Sequence, residues 1–395
     1  MPLPLQPVPQ HYAWGGDRFL ADFLGTSFGD RPTAELWLGD HPKGPAPVVG
    51  EDETLANRIA ADPKAILGPG ITERYGARLP FLLKVLDVRQ MLSIQVHPDK
   101  GTAEAGFARE EENGPDRGAP DRNYRDDNHK PELGLAVTDF YLLHGFRTPD
   151  AIKATLAEVP GWAYLSATLD REGVAGLYEH VMRADQETVD KLLQPLVDKL
   201  ATAGEYDRSQ PEFWACRAVE QYSEGGHHDR GMFSIFWFNL VHLRPGEAIF
   251  QDAGIPHAYL EGRCIELMAN SDNVLRGGLT PKHIDVDELL LNVRFEPVEP
   301  HIITPVADGT AARYPVPVAD FSLRRLELQP GQQHELTAGA GPLIVLLWEG
   351  QAADSASGLQ LSAIRRSWLL PRGETVSIVA ENGALLYLAS TGDGR

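Results

Sequence analysis

Cysteine is nearly absent from this sequence, which contains only Cys216 and Cys264 among its 395 residues. Two cysteines support neither a disulfide framework nor a cysteine-based metal site. We find no apolar run long enough to span a membrane and no signal peptide. The cytoplasm is therefore the expected location, and no membrane partner is expected.

Positive charge is also in short supply, since 36 Lys and Arg residues stand against 56 Asp and Glu residues, for a formal net charge of -20. This balance argues against a nucleic-acid or anionic-membrane partner. A small anionic substrate is still compatible with it, because a few local cations can outweigh a distant acidic surface. The length leaves room for two or three domains, and the hydrophobic fraction of 43% is ordinary for a globular protein.

A polar row begins at Ser93, after the apolar segment 79–86. Side chains alternate in an extended chain, so Ser93, Gln95 and His97 share one face of a predicted strand. Burying such a row is unfavourable unless each polar group finds a partner. An imidazole and an amide oxygen two residues apart can both find that partner by binding the same cation. A half-exposed strand with a polar outer face is the alternative interpretation.

Two further segments carry polar side chains at predicted strand boundaries. Glu132 follows a charged loop predicted over 109–127 and precedes a short apolar strand, so its carboxylate needs a partner, which Lys130 or water can provide. His257 follows a proline-fixed turn and shares a face with Tyr259 if the chain beyond it is extended. By itself, His257 is equally compatible with a hydrogen-bonded structural histidine.

The pattern elsewhere predicts both helices and strands. Alternation predicts a strand within 34–39, and helical spacing predicts helices within 148–222, interrupted once by Pro195. The aromatic run 232–241 predicts a strand that is buried in a sandwich or barrel. We interpret 148–222 as a helical insertion between β-rich parts of the chain.

The tail from about 299 onward is predicted to be β-rich, with its clearest buried strand at 343–348. Its segment 370–374 (LPRGE) echoes 243–247 (LRPGE), yet no histidine follows at the spacing of the first copy. The echo predicts two related β-barrels, of which only the first keeps a polar site.

A mixed set of metal-ligand types emerges from these segments. One amide oxygen, one carboxylate and two imidazoles come from Gln95, His97, Glu132 and His257. This mixture suits zinc first, with manganese, iron or cobalt as substitutes. Because the four residues are scattered along the chain, their spacing is not itself a motif.

Five blocks of the sequence resemble the type I mannose-6-phosphate isomerases, in the order in which that family carries them. They are LPFLLKVL at 79–86, LSIQVHPDK at 92–100, NHKPE at 128–132, PHAY at 256–259 and MANSDNVLRGGLTPK at 268–282. The resemblance extends from Tyr12 to about Phe295. It departs from the family pattern at 226–231, where a Tyr-Pro pair is expected before the Asp.

The resemblance implies a mainly β fold with a cupin-type jelly-roll core, an α-helical domain and a second, degenerate β-barrel. The expected boundaries are 1–147 with 223–298 for the catalytic domain, 148–222 for the helical insertion and 299–395 for the C-terminal barrel. The resemblance also implies reversible conversion of mannose 6-phosphate to fructose 6-phosphate. We expect a small sugar phosphate as the binding partner, and a monomer or weak homo-oligomer.

For the site, the resemblance implies one zinc ion per chain, bound by Gln95, His97, Glu132 and His257, with Arg276 as the essential active-site cation. Moving a proton between the first two carbons of a sugar leaves an enediolate, which requires charge stabilisation and a base. The candidate bases are Lys130, Asp272, His129 and Glu266. The candidate contacts to phosphate or sugar are Ser93, Lys84, Lys282, Trp14, Tyr259, Glu266 and Glu35.

Two rival functions use the same fold. A metal-dependent cupin oxygenase would require iron and would leave Gln95 an unusual ligand. A non-catalytic sugar-phosphate sensor would hold zinc in a closed structural site.

Overall fold

The computed structural model describes residues 1–202 and 204–392. The strands are β1 (Leu3–Leu5), β2 (Val8–Gln10), β3 (Glu35–Leu38), β4 (Phe81–Val88), β5 (Gln95–Val96), β6 (Glu132–Ala136), β7 (Phe140–Phe146), β8 (Phe238–Leu243), β9 (Ala248–Gln251), β10 (His257–Ala269), β11 (Leu275–Arg276), β12 (Val306–Asp308), β13 (Ala311–Tyr314), β14 (Ser322–Leu328), β15 (Gln332–Thr337), β16 (Leu343–Gly350), β17 (Ala352–Asp354), β18 (Gln360–Leu361), β19 (Ser367–Leu370), β20 (Thr375–Ala380) and β21 (Ala384–Ser390).

The α-helices are α1 (Phe19–Phe23), α2 (Leu55–Ala61), α3 (Pro63–Ile66), α4 (Pro69–Tyr75), α5 (Lys100–Asn113), α6 (Pro149–Glu158), α7 (Ser166–Arg183), α8 (Gln186–Thr202), α9 (Pro211–Tyr222), α10 (Gly231–Trp237) and α11 (Val286–Asn292). The prediction of a sheet-rich chain with a helical segment between β-rich parts is confirmed. None of these helices is both long enough and apolar enough to cross a bilayer.

A sheet of ten strands within the described residues surrounds the polar segments, and β10 is its central strand. The first part of β10 pairs with β5 and β7, and its second part pairs with β4 and β6. A register shift between Tyr259 and Glu261 separates the two parts. Gly262 follows with φ 123, and a Cβ there would lie 2.4 Å from the carbonyl oxygen of Asp139. Only glycine fits this bend, which brings both halves of the sheet around one interior.

The C-terminal strands form a seven-stranded and a four-stranded sheet within the described part of the chain. The N-terminal strand β1 joins the seven-stranded sheet by pairing with β19, so the two ends of the chain meet in one sheet. One hydrophobic core includes residues of both the ten-stranded and the seven-stranded sheet, among them Leu83, Ile265, Ile344, Leu369 and Tyr387. Burial of this shared core holds the two β-rich parts together.

The predicted helices of 148–222 are confirmed as α6 to α9. Thr148 caps α6, because its hydroxyl accepts a hydrogen bond from the backbone N–H of Ala151 at 3.3 Å. The apolar stripe of α8 is buried at Val189, Leu192, Leu193, Leu196 and Leu200. Pro195 lies inside α8, as its position in the periodic pattern indicated. These helices bury their apolar faces in a core that also contains residues of β5, β7 and β10.

Two predictions of local structure are wrong. Residues 231–237 of the aromatic run form the helix α10, and only the part from Phe238 to Leu243 is a strand. Every residue of α10 is buried, and a helix that is apolar all round has the same sequence pattern as a buried strand. The segment predicted as a loop from Arg109 begins inside α5, whose N-cap Asp99 accepts a hydrogen bond from the N–H of Thr102 at 2.8 Å.

Candidate metal centre and active site

Three buried side chains converge at the interior of the ten-stranded sheet. The ligand atoms of His97, Glu132 and His257 all lie within 4.8 Å of one another. Glu132 is the first residue of β6 and His257 is the first residue of β10, while His97 directly follows β5. Residues at the ends of three strands therefore assemble the cluster.

Backbone carbonyls determine how both imidazoles face. His97 Nδ1 lies 2.8 Å from the carbonyl oxygen of Asn273, and His257 Nδ1 lies 2.9 Å from that of Ile255. Since a carbonyl can only accept, each Nδ1 carries the proton and donates it. The Nε2 atoms face Glu132, at 3.3 Å from Oε1 for His97 and 3.4 Å from Oε2 for His257.

This arrangement fits a divalent cation. Burial and the nearby Lys130 lower the pKa of His97 to about 4, so its ring is neutral at pH 7. Its Nε2 lone pair then faces a carboxylate oxygen without a proton between them, which is unfavourable until a cation binds both. Two imidazole nitrogens and a carboxylate oxygen are a donor set that zinc accepts.

Gln95 lies where a fourth ligand is expected. In the β5–β10 ladder it is directly opposite His257, and in the β5–β11 ladder it is directly opposite Arg276. Residues directly opposite in antiparallel strands project to the same face. The amide of Gln95, the imidazole of His257 and the guanidinium of Arg276 thus share one face.

Lys130 borders the cluster, with its Nζ 2.9 Å from Glu132 Oε1 and only 8% of the residue exposed. Burial alone would raise the pKa of Glu132, but the Lys130 ammonium and His97 hold it well below its usual range. Glu132 is therefore an anion that faces Lys130 on one side and the two imidazoles on the other.

A second buried charged group lies further along β10. Lys84 Nζ is 3.0 Å from Glu266 Oε2 and 3.9 Å from Glu35 Oε2, while Trp37 Nε1 donates to Glu35. Burial alone would lower the pKa of Lys84, but Glu266 and Glu35 raise it above its ordinary value. Burial raises the pKa of Glu266. Lys84 is thus a permanent cation, and Glu266 is a carboxyl group that takes up a proton more readily than usual.

Tyr259 is buried beside the same residues. Its ring contacts Phe140 edge to face at 5.0 Å, and its centroid lies 6.3 Å from that of His257. Burial, together with Glu266 and Glu132, raises the pKa of its hydroxyl well above the usual range. Tyr259 therefore remains a neutral phenol beside the candidate metal ligands.

Cations gather next to Gln95. Burial and the charge of Arg125 lower the pKa of Arg276, and burial, Arg276 and Arg125 lower that of Lys282. The guanidinium of Arg125 is held by the carbonyls of Arg117 and Ala119 at 3.2 and 3.1 Å. In a chain of net charge -20, the positive charges of Arg125, Arg276 and Lys282 lie near enough to influence one another, which suits this region to an anion.

The structure places two other predicted residues, Asp272 and His129, away from the metal cluster. Asp272 Oδ2 lies 2.8 Å from Lys43 Nζ and 3.5 Å from His41 Nε2; burial alone would raise its pKa, but these partners hold it well below the usual range. His129 Nε2 contacts Asp320 Oδ1 at 3.1 Å and so faces the C-terminal part of the chain.

Trp14 is half-buried beside the core that contains Tyr259. It stacks on Tyr12 with ring centroids 5.9 Å apart and packs against the core that contains Tyr259. Ser93 is half-buried two residues before Gln95, and Lys282 is exposed. These three residues border the site and do not contact the metal cluster.

Asn273, to which the sequence assigned no role, connects two parts of the site. Asn273 is fully buried, and its carbonyl orients His97 while its side-chain oxygen accepts from the N–H of Arg125 at 2.7 Å. It thereby ties the loop that carries Arg125 to the metal cluster. Asn273 stands inside the block 268–282, but nothing in the local pattern distinguishes it from a turn residue.

Comparisons with known proteins show the family of the chain. The family model described as phosphomannose isomerase type I, catalytic domain, matches residues 3–149. Mannose-6-phosphate isomerase from Escherichia coli (strain K12) is 41% identical over 323 residues, which cover 79% of this chain and 80% of that protein. The protein of the same name from Homo sapiens is 32% identical over 424 residues, which cover 99% of this chain and 96% of that one.

Solved structures extend the likeness to the whole fold. A mutant of phosphomannose isomerase from Salmonella typhimurium is similar with a TM-score of 0.89 at 35% identity, over 99% of each chain. A mannose 6-phosphate isomerase bound with zinc and yttrium is similar with a TM-score of 0.83 at 35% identity, over 98% of each chain. Since relatives of 32–41% identity span most of its length, the chain belongs to the type I mannose-6-phosphate isomerases.

Proposed function

We propose that this chain interconverts mannose 6-phosphate and fructose 6-phosphate through an enediolate, with one zinc ion held by Gln95, His97, Glu132 and His257. The observation that carries the proposal is the convergence of the Nε2 atoms of His97 and His257 on the carboxylate of Glu132, next to a group of cations. Zinc bound there would supply charge stabilisation for the sugar oxygens at the first two carbons.

The cations divide the work of binding the sugar phosphate. Arg276 shares the face of Gln95 and His257, so its guanidinium can hold the oxygens of the reacting end or the phosphate. Lys282 lies nearer the solvent and is suited to the phosphate, as is the half-buried hydroxyl of Ser93. Lys84 is engaged by Glu266, so we assign this pair to the sugar hydroxyls.

Lys130 is the base that we propose for the carbon-bound proton. Its Nζ lies 2.9 Å from Glu132 Oε1, at the border of the metal cluster, and an amine can act as a general base when it is placed beside the reacting carbon. Asp272 is a poorer base because His41 and Lys43 stabilise its charge. Glu266, whose pKa is raised by burial, is the alternative group for proton transfer to the sugar oxygens.

We also propose a cupin-type jelly roll for the ten-stranded sheet and a degenerate second barrel for the tail, with boundaries at 1–147 with 223–298, 148–222 and 299–395. The echoed segments support this, since Gly246 and Gly373 each make the turn between two strands with positive φ, 91 and 72. A cytoplasmic monomer or weak homo-oligomer fits the same proposal.

The family favours the isomerase over the oxygenase and the sensor. A coupled assay with mannose 6-phosphate, together with metal analysis, separates the three functions. We expect zinc and turnover. Iron with oxygen consumption would favour the oxygenase, and tight binding of the sugar phosphate without turnover would favour the sensor.

His257→Ala tests the metal centre directly. The variant removes one of the two imidazoles that face Glu132, so we expect it to lose both zinc and turnover. A variant that is fully active without metal would reject the site.

A further inference from the structure

Two buried polar residues next to the metal cluster have no role in the proposed reaction. His144 in β7 is 4% exposed and Gln251 in β9 is fully buried. His144 Nδ1 and Gln251 Oε1 are hydrogen-bonded at 2.8 Å. The amide nitrogen of Gln251 has no hydrogen-bond partner, so an apolar side chain would be easier to bury at this position.

The strand register places each of the two residues beside a candidate metal ligand. Gln251 is directly opposite Glu132 in the β6–β9 ladder, and His144 is directly opposite His257 in the β7–β10 ladder. Directly opposite residues in antiparallel strands share a face, with Cβ atoms about 5 Å apart. His257 Nε2 also lies 3.4 Å from Glu132 Oε2, so the four residues are neighbours in a ring, with two links made by side chains and two by strand register.

The backbone does not close this ring by itself. Glu132 belongs to β6, which pairs with the second part of β10, whereas His257 begins the first part, beyond the register shift and the bend at Gly262. In the described sheet, β9 pairs with β6 while β7 pairs with β8 and β10, so no ladder joins β7 to β9. The hydrogen bond between His144 and Gln251 links these two strands next to the metal cluster.

We propose that the His144–Gln251 hydrogen bond braces Glu132 against His257 and thereby increases the affinity of the site for zinc. Both are positioning residues, because they act through the ligands and not on the sugar. Ligands that are held at the spacing of the bound state lose less freedom when the ion arrives. The inference rests on the metal centre of the proposed function, but not on the identity of the sugar.

The test measures zinc affinity on the full chain by competition with a chelator, without any sugar. The variants are Gln251→Leu, His144→Phe and the double variant, each stripped of metal and then titrated with zinc. Each single variant should bind zinc about 10- to 100-fold more weakly than wild type. Because both act through one hydrogen bond, the double variant should lose no more than either single variant.

Ser367→Ala is the matched control, since its buried hydroxyl donates to the carbonyl of Leu5 at 3.0 Å in the seven-stranded sheet. It should lower thermal stability without changing zinc affinity. The double variant keeps the test informative if a single one fails to fold, because it leaves no unpaired polar partner. Zinc affinity within twofold of wild type in the folded variants, or additive losses, would overturn the brace. Tight zinc binding by wild type without isomerase activity would instead reject the proposed reaction and leave the brace standing.

Discussion

Glu132→Gln should destabilise the metal-free chain because it leaves the buried Lys130 ammonium without its counterion. Lys130 and Glu132 are 8% and 3% exposed, and their charged atoms are 2.9 Å apart. Within the described part of the chain, Lys130 forms its ion pair with Glu132. Removing one member of a buried pair costs about 3–5 kcal/mol, since the remaining charge stays buried without compensation. The amide keeps the size of the side chain, so the loss measures charge and not packing.

The assay is urea unfolding of the metal-free chain in the presence of a chelator, with zinc per chain measured separately after loading. Glu132→Gln should unfold at a lower urea concentration than wild type and should retain little zinc. The double variant Lys130→Met with Glu132→Gln removes both charges and should recover most of the stability, but not the zinc.

Two results would refute this reasoning. A loss below about 1 kcal/mol in Glu132→Gln would show that the Lys130 charge is not buried with Glu132 as its counterion. A double variant as unstable as the single one would show that the loss comes from packing or from the imidazoles.

Three further predictions concern the cations, the tail and pH. Arg276→Ala should lower kcat by orders of magnitude with the fold intact. Arg125→Ala should mainly raise KM for mannose 6-phosphate, about 10-fold, as expected for the loss of one charged hydrogen bond. Steady-state kinetics check both variants, and an unchanged KM would remove Arg125 from the anion site. Deleting 299–395 should reduce the soluble fraction and increase dye binding, because Leu83 and Ile265 lose their partners in the seven-stranded sheet; a well-behaved truncated monomer would contradict this. The pKa of His97 is about 4 in the folded chain, against an ordinary value of 6.5. Between these two pH values the unfolded chain therefore binds more protons than the folded chain. The free energy of unfolding of the metal-free chain should fall as the pH is lowered from 6.5 to 4. The loss of unfolding free energy that comes from this imidazole is about 3 kcal/mol over the whole interval. Urea unfolding at pH 7 and at pH 4.5 measures it, and equal stability at the two pH values would contradict the prediction.

The family and the candidate ligands were predictable from sequence because they depend on local order. Gln95 and His97 alternate with apolar neighbours, and Glu132 and His257 each start a strand after a turn, so their types and positions could be recognised one segment at a time. Apolar stripes are equally local, which is why the periodicity of α8 was informative.

The hydrophobic pattern predicted the wrong element where a buried helix and a buried strand have the same pattern. The aromatic run 232–241 was predicted to be a single strand, yet Gly231–Trp237 is a helix that is buried on all sides. Burial removes the alternation and the 3.6-residue period alike, so composition alone could not separate the two.

Partner choice was decided by the tertiary structure. Asp272 was a candidate base by its position in the chain, but folding brings it to Lys43 and His41. Arg125 lies near Arg276 and Lys282 in a loop that is hydrogen-bonded to Asn273, which is far from it in sequence.

The sequence by itself determined the family, the donor types and the order in which they occur, since these depend on neighbours along the chain. Only the tertiary structure decided that His144 and Gln251 meet beside Glu132 and His257. Such pairings depend on strand register and on the bend in β10. The sequence around a residue does not indicate which distant residue will lie opposite it in a sheet.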